Sequence, residues 1–195
     1  MSEASYLEVL VGICVGISLA ASCGLRVFVP LFIVSIAVRF FGFPVNEHFA
    51  WVGSWLAVVI LGTATIAELL AYYIPLVDNT LDMINVPLTL IAGTVMMCGV
   101  LPELHPCLKW GIAVVLGGGA ASMSKLVMSI IRGVSTSMTS GFANHIVATC
   151  ENVCAVMFSI FSILIPFVCF SILLVILIVL LMFARKIIAW SMGFR

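Results

Sequence analysis

Charge is what this sequence has least of. Lys, Arg, Asp and Glu together make up 8% of the chain, whereas they make up about a quarter of a soluble globular protein. The eight basic and eight acidic residues cancel, so there is no positive field to attract nucleic acid. No polar stretch is long enough to fold as a soluble domain. These absences exclude a nucleic-acid-binding protein and an ordinary water-soluble domain.

The sequence patterns of common enzymes are missing as well. The chain has no GxSxG, HExxH, Walker-type GxxxxGK[ST] or CxxC pattern. Its histidines, His48, His105 and His145, lie far apart and share no metal-binding spacing. Cys150 and Cys154 are four residues apart, and we interpret them as small packing residues of one helix face. We therefore expect no enzyme activity, no cofactor and no metal.

Apolar residues, in contrast, make up 64% of the 195 residues and occur in long runs. A helix needs about 20 such residues to cross a bilayer. The runs predict an all-α, polytopic transmembrane helical bundle that forms one integral membrane domain over residues 1–195. About seven helices are expected, over residues 6–24, 27–43, 53–77, 81–100, 107–133, 146–164 and 167–184.

The positions of Lys and Arg predict an orientation, because cytoplasmic loops carry an excess of both. With Arg185 and Lys186 placed in the cytoplasm, seven spans leave only Arg39 and Lys109 outside. The N-terminus is then outside and the C-terminus cytoplasmic.

Two short patterns suggest an internal repeat. Cys23-Gly24 closes the first predicted helix and Cys98-Gly99 closes the fourth, and a proline follows each pair. Three helices separate the copies, so they would be inverted in the membrane, as in many transporters. The expected arrangement is a 3+3 inverted repeat, with repeat 1 over 6–77, repeat 2 over 81–166 and an extra helix over 167–184. Coincidence among small residues is the alternative.

Small residues recur every four positions in the first and fifth predicted helices, a spacing typical of close helix packing. The second stripe includes Lys125, which we therefore expect on a packed face. Gly117, Gly118 and Gly119 are consecutive, and each glycine costs a helix about 1 kcal/mol. The triplet predicts a bend, a break, or backbone exposed to a cavity.

The intramembrane charges are the strongest candidates for a functional site. Glu68 and Glu151 lie inside apolar runs, where a carboxylate must be paired, protonated or hydrated. The predicted topology places Arg26, Lys125 and Arg132 in the same half of the membrane. This cluster could be a salt-bridge network that fixes helix packing, a hydrated proton-carrying site, or a cationic pocket for an anion or lipid headgroup. Further candidates are Asp78 and Asp82, beside the predicted turn at 78–80, and the polar segment 135–145 could be a loop or line a cavity.

Several of these segments resemble a known family. They are 23–31 (CGLRVFVPL), 71–79 (AYYIPLVDN) followed by Leu81-Asp82, 117–121 (GGGAA) and 148–152 (ATCEN). They resemble the bacterial membrane family catalogued as domain of unknown function 4126, over nearly the whole chain up to about Pro166. The chain departs from the family at Ser140-Gly141 and Asn144-His145, where a Gly pair and an Asn-Pro are expected. The resemblance implies a small bacterial inner-membrane protein and brings no activity with it.

The function expected from these features is a channel or secondary transporter for an ion or small solute. Glu68 and Glu151 would titrate or coordinate, Arg26 and Lys125 would be their partners, and the glycine triplet 117–119 would give access to backbone. The alternative is a non-catalytic scaffold or assembly subunit of a membrane complex, in which the charges only hold helices together. Lipid is an expected partner, nucleic acid is not, and a homo-oligomer is left open.

Overall fold

The computed structural model describes residues 6–139, 144–176 and 178, and the side chains of these residues except 75–80, 82–83, 134, 136–139 and 144. The described part is entirely helical and contains no strand, which confirms the predicted all-α class. The α-helices are α1 Tyr6–Leu25, α2 Phe28–Phe41, α3 Trp55–Ala71, α4 Pro75–Val100, α5 Pro106–Ile112, α6 Gly119–Thr139, α7 Asn144–Leu164 and α8 Pro166–Ile176. A 3-10 helix, Glu47–Gly53, precedes α3, and a π-helical segment, Ala113–Gly118, joins α5 to α6.

Three helical segments of the described chain are long and apolar enough to cross a membrane: Tyr6–Leu25, Pro106–Gly133 and His145–Leu164. The 3-10 helix and α3, bent by 67° at their junction, could together form a fourth span. Within the described residues, the apolar segments Phe28–Phe41, Ile84–Val100 of α4 and Pro166–Ile176 are shorter, and the 14 residues of α2 rise only about 21 Å against a bilayer core of about 30 Å. The expected seven spans therefore stay a prediction.

Two predicted boundaries are wrong, and both errors involve polar residues inside helices. Pro75 does not end the third helix but occupies the first position of α4, where its fixed φ and missing N–H are tolerated. The predicted turn at 78–80 lies inside α4. The fifth predicted helix does not end at Gly133, since α6 continues to Thr139. Residues 135–139 are thus helical, and 140–143 lie outside the described residues.

Helix α1 is the centre of the bundle, and its small-residue stripe explains how its neighbours reach it. A Cβ on Gly16 would collide with Met97 of α4, and one on Gly24 would collide with the carbonyl of Ala121 in α6. The stripe therefore serves contacts within the chain. Around it lies an apolar core formed by Val15, Leu19, Cys23, Val27, Val34, Phe49, Val52, Ala92, Met96 and Ala121.

The outer surface of the bundle is also apolar. Leu56, Val115, Ile130, Ile146 and Leu164 are each at least two-thirds exposed. A helix that is apolar on both its packed and its outward face suits a lipid environment. The helices are accordingly compatible with insertion into a membrane.

Gly117 and Gly118 end the π-helical segment and Gly119 begins α6, so the helical hydrogen-bond pattern changes at the triplet although the helix continues through it. A Cβ on Gly117 would lie 2.5 Å from the carbonyl oxygen of Gly93, and one on Gly118 would lie 2.8 Å from the hydroxyl of Thr94. The space beside these two glycines is filled by α4 rather than by a cavity. Of the three glycines, Gly119 alone has no neighbour within 4 Å of an added Cβ, and backbone access at this position stays a prediction.

Helices α1 and α4 are antiparallel, because Gly12 lies beside Pro102 and Gly16 lies beside Met97. The Cys-Gly pairs that close these helices therefore lie at opposite ends of the bundle, as an inverted repeat requires. The repeat itself stays a prediction. The end that contains Leu25, the start of α2 and the end of α3 carries the candidate site.

Candidate functional site

The candidate site is built around the ring of Tyr72, the residue that follows the last turn of α3. The guanidinium carbon of Arg26 lies 3.5 Å from the centre of this ring, that of Arg132 lies 4.6 Å away, and the ammonium of Lys125 lies 5.9 Å away. These distances are within the range of cation–π attraction. We call Arg26, Tyr72, Lys125, Arg132 and Glu151 the Tyr72 cluster.

Glu151 is the acidic centre of the cluster. Its Oε1 accepts a hydrogen bond of 3.1 Å from Nε of Arg132, whose Nη2 bonds Oε2 in a two-pronged contact. Nη2 of Arg26 lies 3.0 Å from the same Oε2. Glu151 is only 3% exposed, so two arginines stabilise one carboxylate away from water.

The other contacts of Arg26 come from the same face of α7. Its Nε donates to Oδ1 of Asn152 at 2.5 Å, and its Nη2 donates to the carbonyl of Ala148 at 3.3 Å. Residues 148, 151 and 152 share one helix face because they are three and four positions apart. One turn of α7 thus holds a side chain from the junction between α1 and α2.

One nitrogen of Arg26 has no partner in the part of the chain that the structure describes. The side chain of Arg26 is 0% exposed, and within the described part of the chain its Nη1 makes no hydrogen bond. A buried donor without an acceptor costs about 1–3 kcal/mol. Among the described residues, the cluster therefore contains one positively charged hydrogen-bond donor, Nη1 of Arg26, that no acceptor uses.

Glu68 lies one turn before Tyr72, but it has a different set of partners. Its Oε1 and Oε2 each accept a 2.9 Å hydrogen bond, from the backbone N–H groups of Val27 and Phe28. These groups begin α2, so the carboxylate caps the N-terminus of that helix. Arg26 and Lys125 interact with its charge electrostatically, although neither forms a salt bridge with it among the described contacts.

The predicted site residues are therefore only partly brought together. Arg26 and Glu151 form a direct ion pair, and Lys125 is 7% exposed on a packed face, as expected. Glu68 is adjacent, whereas the triplet 117–119 lies further along, where α5 and α6 join. Asp78 and Asp82 lie in α4, but their side chains are outside the described residues.

Sequence reasoning assigned no role to three neutral residues of the site. They are Tyr72; Asn85, whose Nδ2 donates to the Tyr72 hydroxyl at 2.7 Å; and Asn152. A signal for two of them was available, since Tyr72 and Asn152 lie within the segments that resemble the family. The signal for Asn85 is weaker, because an isolated polar residue in an apolar helix has no distinctive spacing.

A family model for a domain of unknown function, DUF4126, matches residues 13–186. The chain belongs to this family. The match continues past Pro166, where the resemblance seen in the motifs ends, and includes the segment at 140–145 that departs from it. No curated protein and no solved structure matches the chain. The family carries no described function.

Proposed function

We propose that this chain is a non-catalytic, multi-pass membrane protein that moves an ion or small solute, as a channel or secondary transporter, with the Tyr72 cluster as its binding site or gate. The observation that carries the proposal is the buried guanidinium of Arg26, one nitrogen of which has no hydrogen-bond partner among the described residues. Charged side chains at membrane depth are costly and concentrate along ion and substrate pathways.

The arrangement around Glu151 supports this proposal. Two arginines share its carboxylate, so one can turn away toward a passing charge while the other keeps Glu151 paired. Arg26 is the better candidate to move, because its Nη1 already has a vacant donor. Glu68, held by backbone amides, serves in this mechanism to fix the start of α2 beside Arg26.

The proposed location is a bacterial inner membrane, with the N-terminus outside and the C-terminus in the cytoplasm. Arg26, Lys125 and Arg132 surround one tyrosine at one end of the bundle. Arg39 and Lys109 lie at the other end, near Trp55 and Glu103 respectively. The larger number of basic residues beside Tyr72, together with the cytoplasmic location expected for Arg185 and Lys186 from the sequence, favours a cytoplasmic location for the end that carries the Tyr72 cluster.

The second candidate function is a scaffold or assembly subunit of a membrane complex. It is favoured by the contacts of Glu68 and Glu151, since Glu68 accepts hydrogen bonds from two backbone amides and Glu151 is held by two arginines. In that case the cluster would only hold α1, α3, α6 and α7 in register.

One double variant separates the two functions. Glu151→Gln alone leaves buried arginines unpaired, which costs about 3–5 kcal/mol and can unfold the protein. Arg132→Gln with Glu151→Gln removes one positive and one negative charge together, so that only Arg26 loses its ion pair, and we expect it to cost less stability than Glu151→Gln alone. Glu47→Gln, at an exposed position of the 3-10 helix at the other end, is the matched control.

The measurement is flux of protons, K⁺, Na⁺ and Cl⁻ in proteoliposomes under both polarities of membrane potential. We expect flux with the wild type and with Glu47→Gln, and a loss of flux with the folded double variant. Flux in the double variant equal to that of the wild type would show that the Tyr72 cluster is not part of the transport pathway. No flux of any tested ion with the wild type would favour the scaffold, and co-purification of partners would follow.

A further inference from the structure

A second polar site lies at the opposite end of the bundle from the Tyr72 cluster. It is a cavity of about 350 Å³ between the 3-10 helix, the end of α4 and the start of α5. Cavities that hold small ligands begin at about this volume and combine apolar walls with a few polar groups. The polar lining consists of Asn46, His48, Glu103 and Lys109, and the apolar lining includes Phe49, Val95, Leu104 and Trp110. We call it the Lys109 cavity.

Lys109 is the most unusual residue of this cavity. It is 7% exposed, and its ammonium lies 3.7 Å from Oε1 of Glu103. That distance allows electrostatic attraction but is too long for a hydrogen bond. Among the described residues the ammonium donates no hydrogen bond. A buried cation with unused donors thus lines an open space.

Glu103 is held in place beside this ammonium but remains accessible. Its side chain is 63% exposed, and its Oε1 accepts a hydrogen bond from Nδ2 of Asn46. Asn46 is fixed in turn, because its backbone N–H donates to the carbonyl of Gly99 at 2.8 Å and its Oδ1 accepts from the N–H of His48 at 3.0 Å. The cavity therefore presents one positive and one negative group at a fixed separation.

The aromatic residues around this end indicate its depth in the membrane. Trp51, Trp55 and Trp110 are each more than half exposed, as are Phe40 and Phe41 beside them. Exposed tryptophans gather at the level of the lipid headgroups. Trp110 belongs both to this belt and to the cavity lining, so the cavity opens where headgroups lie.

We propose that the Lys109 cavity binds a phosphoethanolamine group. The phosphate accepts hydrogen bonds from the Lys109 ammonium, and the ethanolammonium donates to the exposed carboxylate of Glu103. A lone anion would be repelled by Glu103 and a lone cation by Lys109, whereas this zwitterion matches both. The same chemistry occurs in the headgroup of phosphatidylethanolamine and in free phosphoethanolamine. The proposal is independent of any transport activity.

The test is native mass spectrometry of the purified protein with an equimolar mixture of phosphatidylethanolamine, phosphatidylcholine and phosphatidylglycerol. For the wild type we expect retention of phosphatidylethanolamine to exceed that of the other two by about tenfold. Lys109→Met should abolish this preference. Glu103→Gln should shift it toward phosphatidylglycerol, because the buried ammonium then lacks its carboxylate. Glu47→Gln, outside the cavity lining, should behave as the wild type.

Free phosphoethanolamine distinguishes the two sources of the ligand. Displacement of the bound lipid at millimolar concentration means that the cavity binds the free zwitterion as well, and retention of the lipid means that the acyl chains are required. Equal retention of the three lipids by the wild type, or an unchanged preference in the folded variants, would overturn the proposal. If Lys109→Met does not fold, Glu103→Gln decides alone, since its side chain is largely exposed.

Discussion

The cap that Glu68 places on α2 leads to a quantitative stability prediction. Val27, at the N-terminus of α2, has helical φ and ψ angles of −70° and −47° and provides no side-chain cap. The first amides of α2 therefore depend on a carboxylate from α3, 41 residues away in sequence. Glu68→Gln should keep one of the two hydrogen bonds and turn an amide NH₂ group toward the other backbone donor.

The size of the effect follows from these contacts. A hydrogen bond to a charged group contributes about 1.5–3 kcal/mol, and a negative charge at a partly buried helix N-terminus contributes up to about 2 kcal/mol. The neutral amide is less costly to bury than the carboxylate, which offsets part of the loss. We expect Glu68→Gln to lower the free energy of unfolding by about 2–4 kcal/mol. Glu68→Ala should lower it further, because both amides then lack an acceptor.

The assay is reversible unfolding of the purified protein by SDS titration in mixed micelles. Glu47→Gln replaces an exposed carboxylate and should stay within about 0.5 kcal/mol of the wild type. The reasoning is refuted if Glu68→Gln is as stable as Glu47→Gln, or if Glu68→Ala is more stable than Glu68→Gln.

Two further predictions use the same titration. Gly24→Ala should destabilise the protein by about 1–3 kcal/mol, because a Cβ there collides with the backbone of α6. Gly133→Ala should stabilise it by about 0.5–1 kcal/mol, because no neighbour lies within 4 Å of an added Cβ. Equal effects of the two variants would contradict the packing of α1 on α6. Tyr72→Phe should cost about 1–3 kcal/mol through the lost acceptor for Asn85. Tyr72→Leu should cost about 1–2 kcal/mol more by removing the ring beside Arg26, and equal losses would exclude a cation–π contribution.

The sequence predicted those features that depend on local pattern. The first helix and the sixth predicted helix are close to α1 and α7 because their apolar runs end at clear breaks. The burial of Lys125 followed from its place in a small-residue stripe. The prediction of the boundary between α3 and α4 was wrong because Pro75 suits both a helix end and a first helical position. The predicted end of α6 was wrong because the helix propensities of serine and threonine are weak preferences that tertiary packing can override.

In the candidate site, too, the local sequence pattern predicted some features and the tertiary structure determined the others. Their charge within apolar runs was enough to identify Glu68 and Glu151 as candidates, and the sequence gives both carboxylates the same expected role. Their partners come from distant parts of the chain, so no local pattern distinguishes the two. Only the fold shows that one carboxylate meets backbone amides and the other meets arginines.

This difference decides which carboxylate can take part in a moving site. The backbone amides are fixed by the first turn of α2, so only the Glu68 side chain can move, and moving it would leave both amides without their acceptor. The arginines that hold Glu151 have several rotatable bonds each and can exchange partners while every helix stays intact. Any conformational change linked to transport should therefore alter the contacts of Glu151 and leave those of Glu68 unchanged. A variant at position 68 should act through stability, and a charge-paired variant at positions 132 and 151 should act through flux.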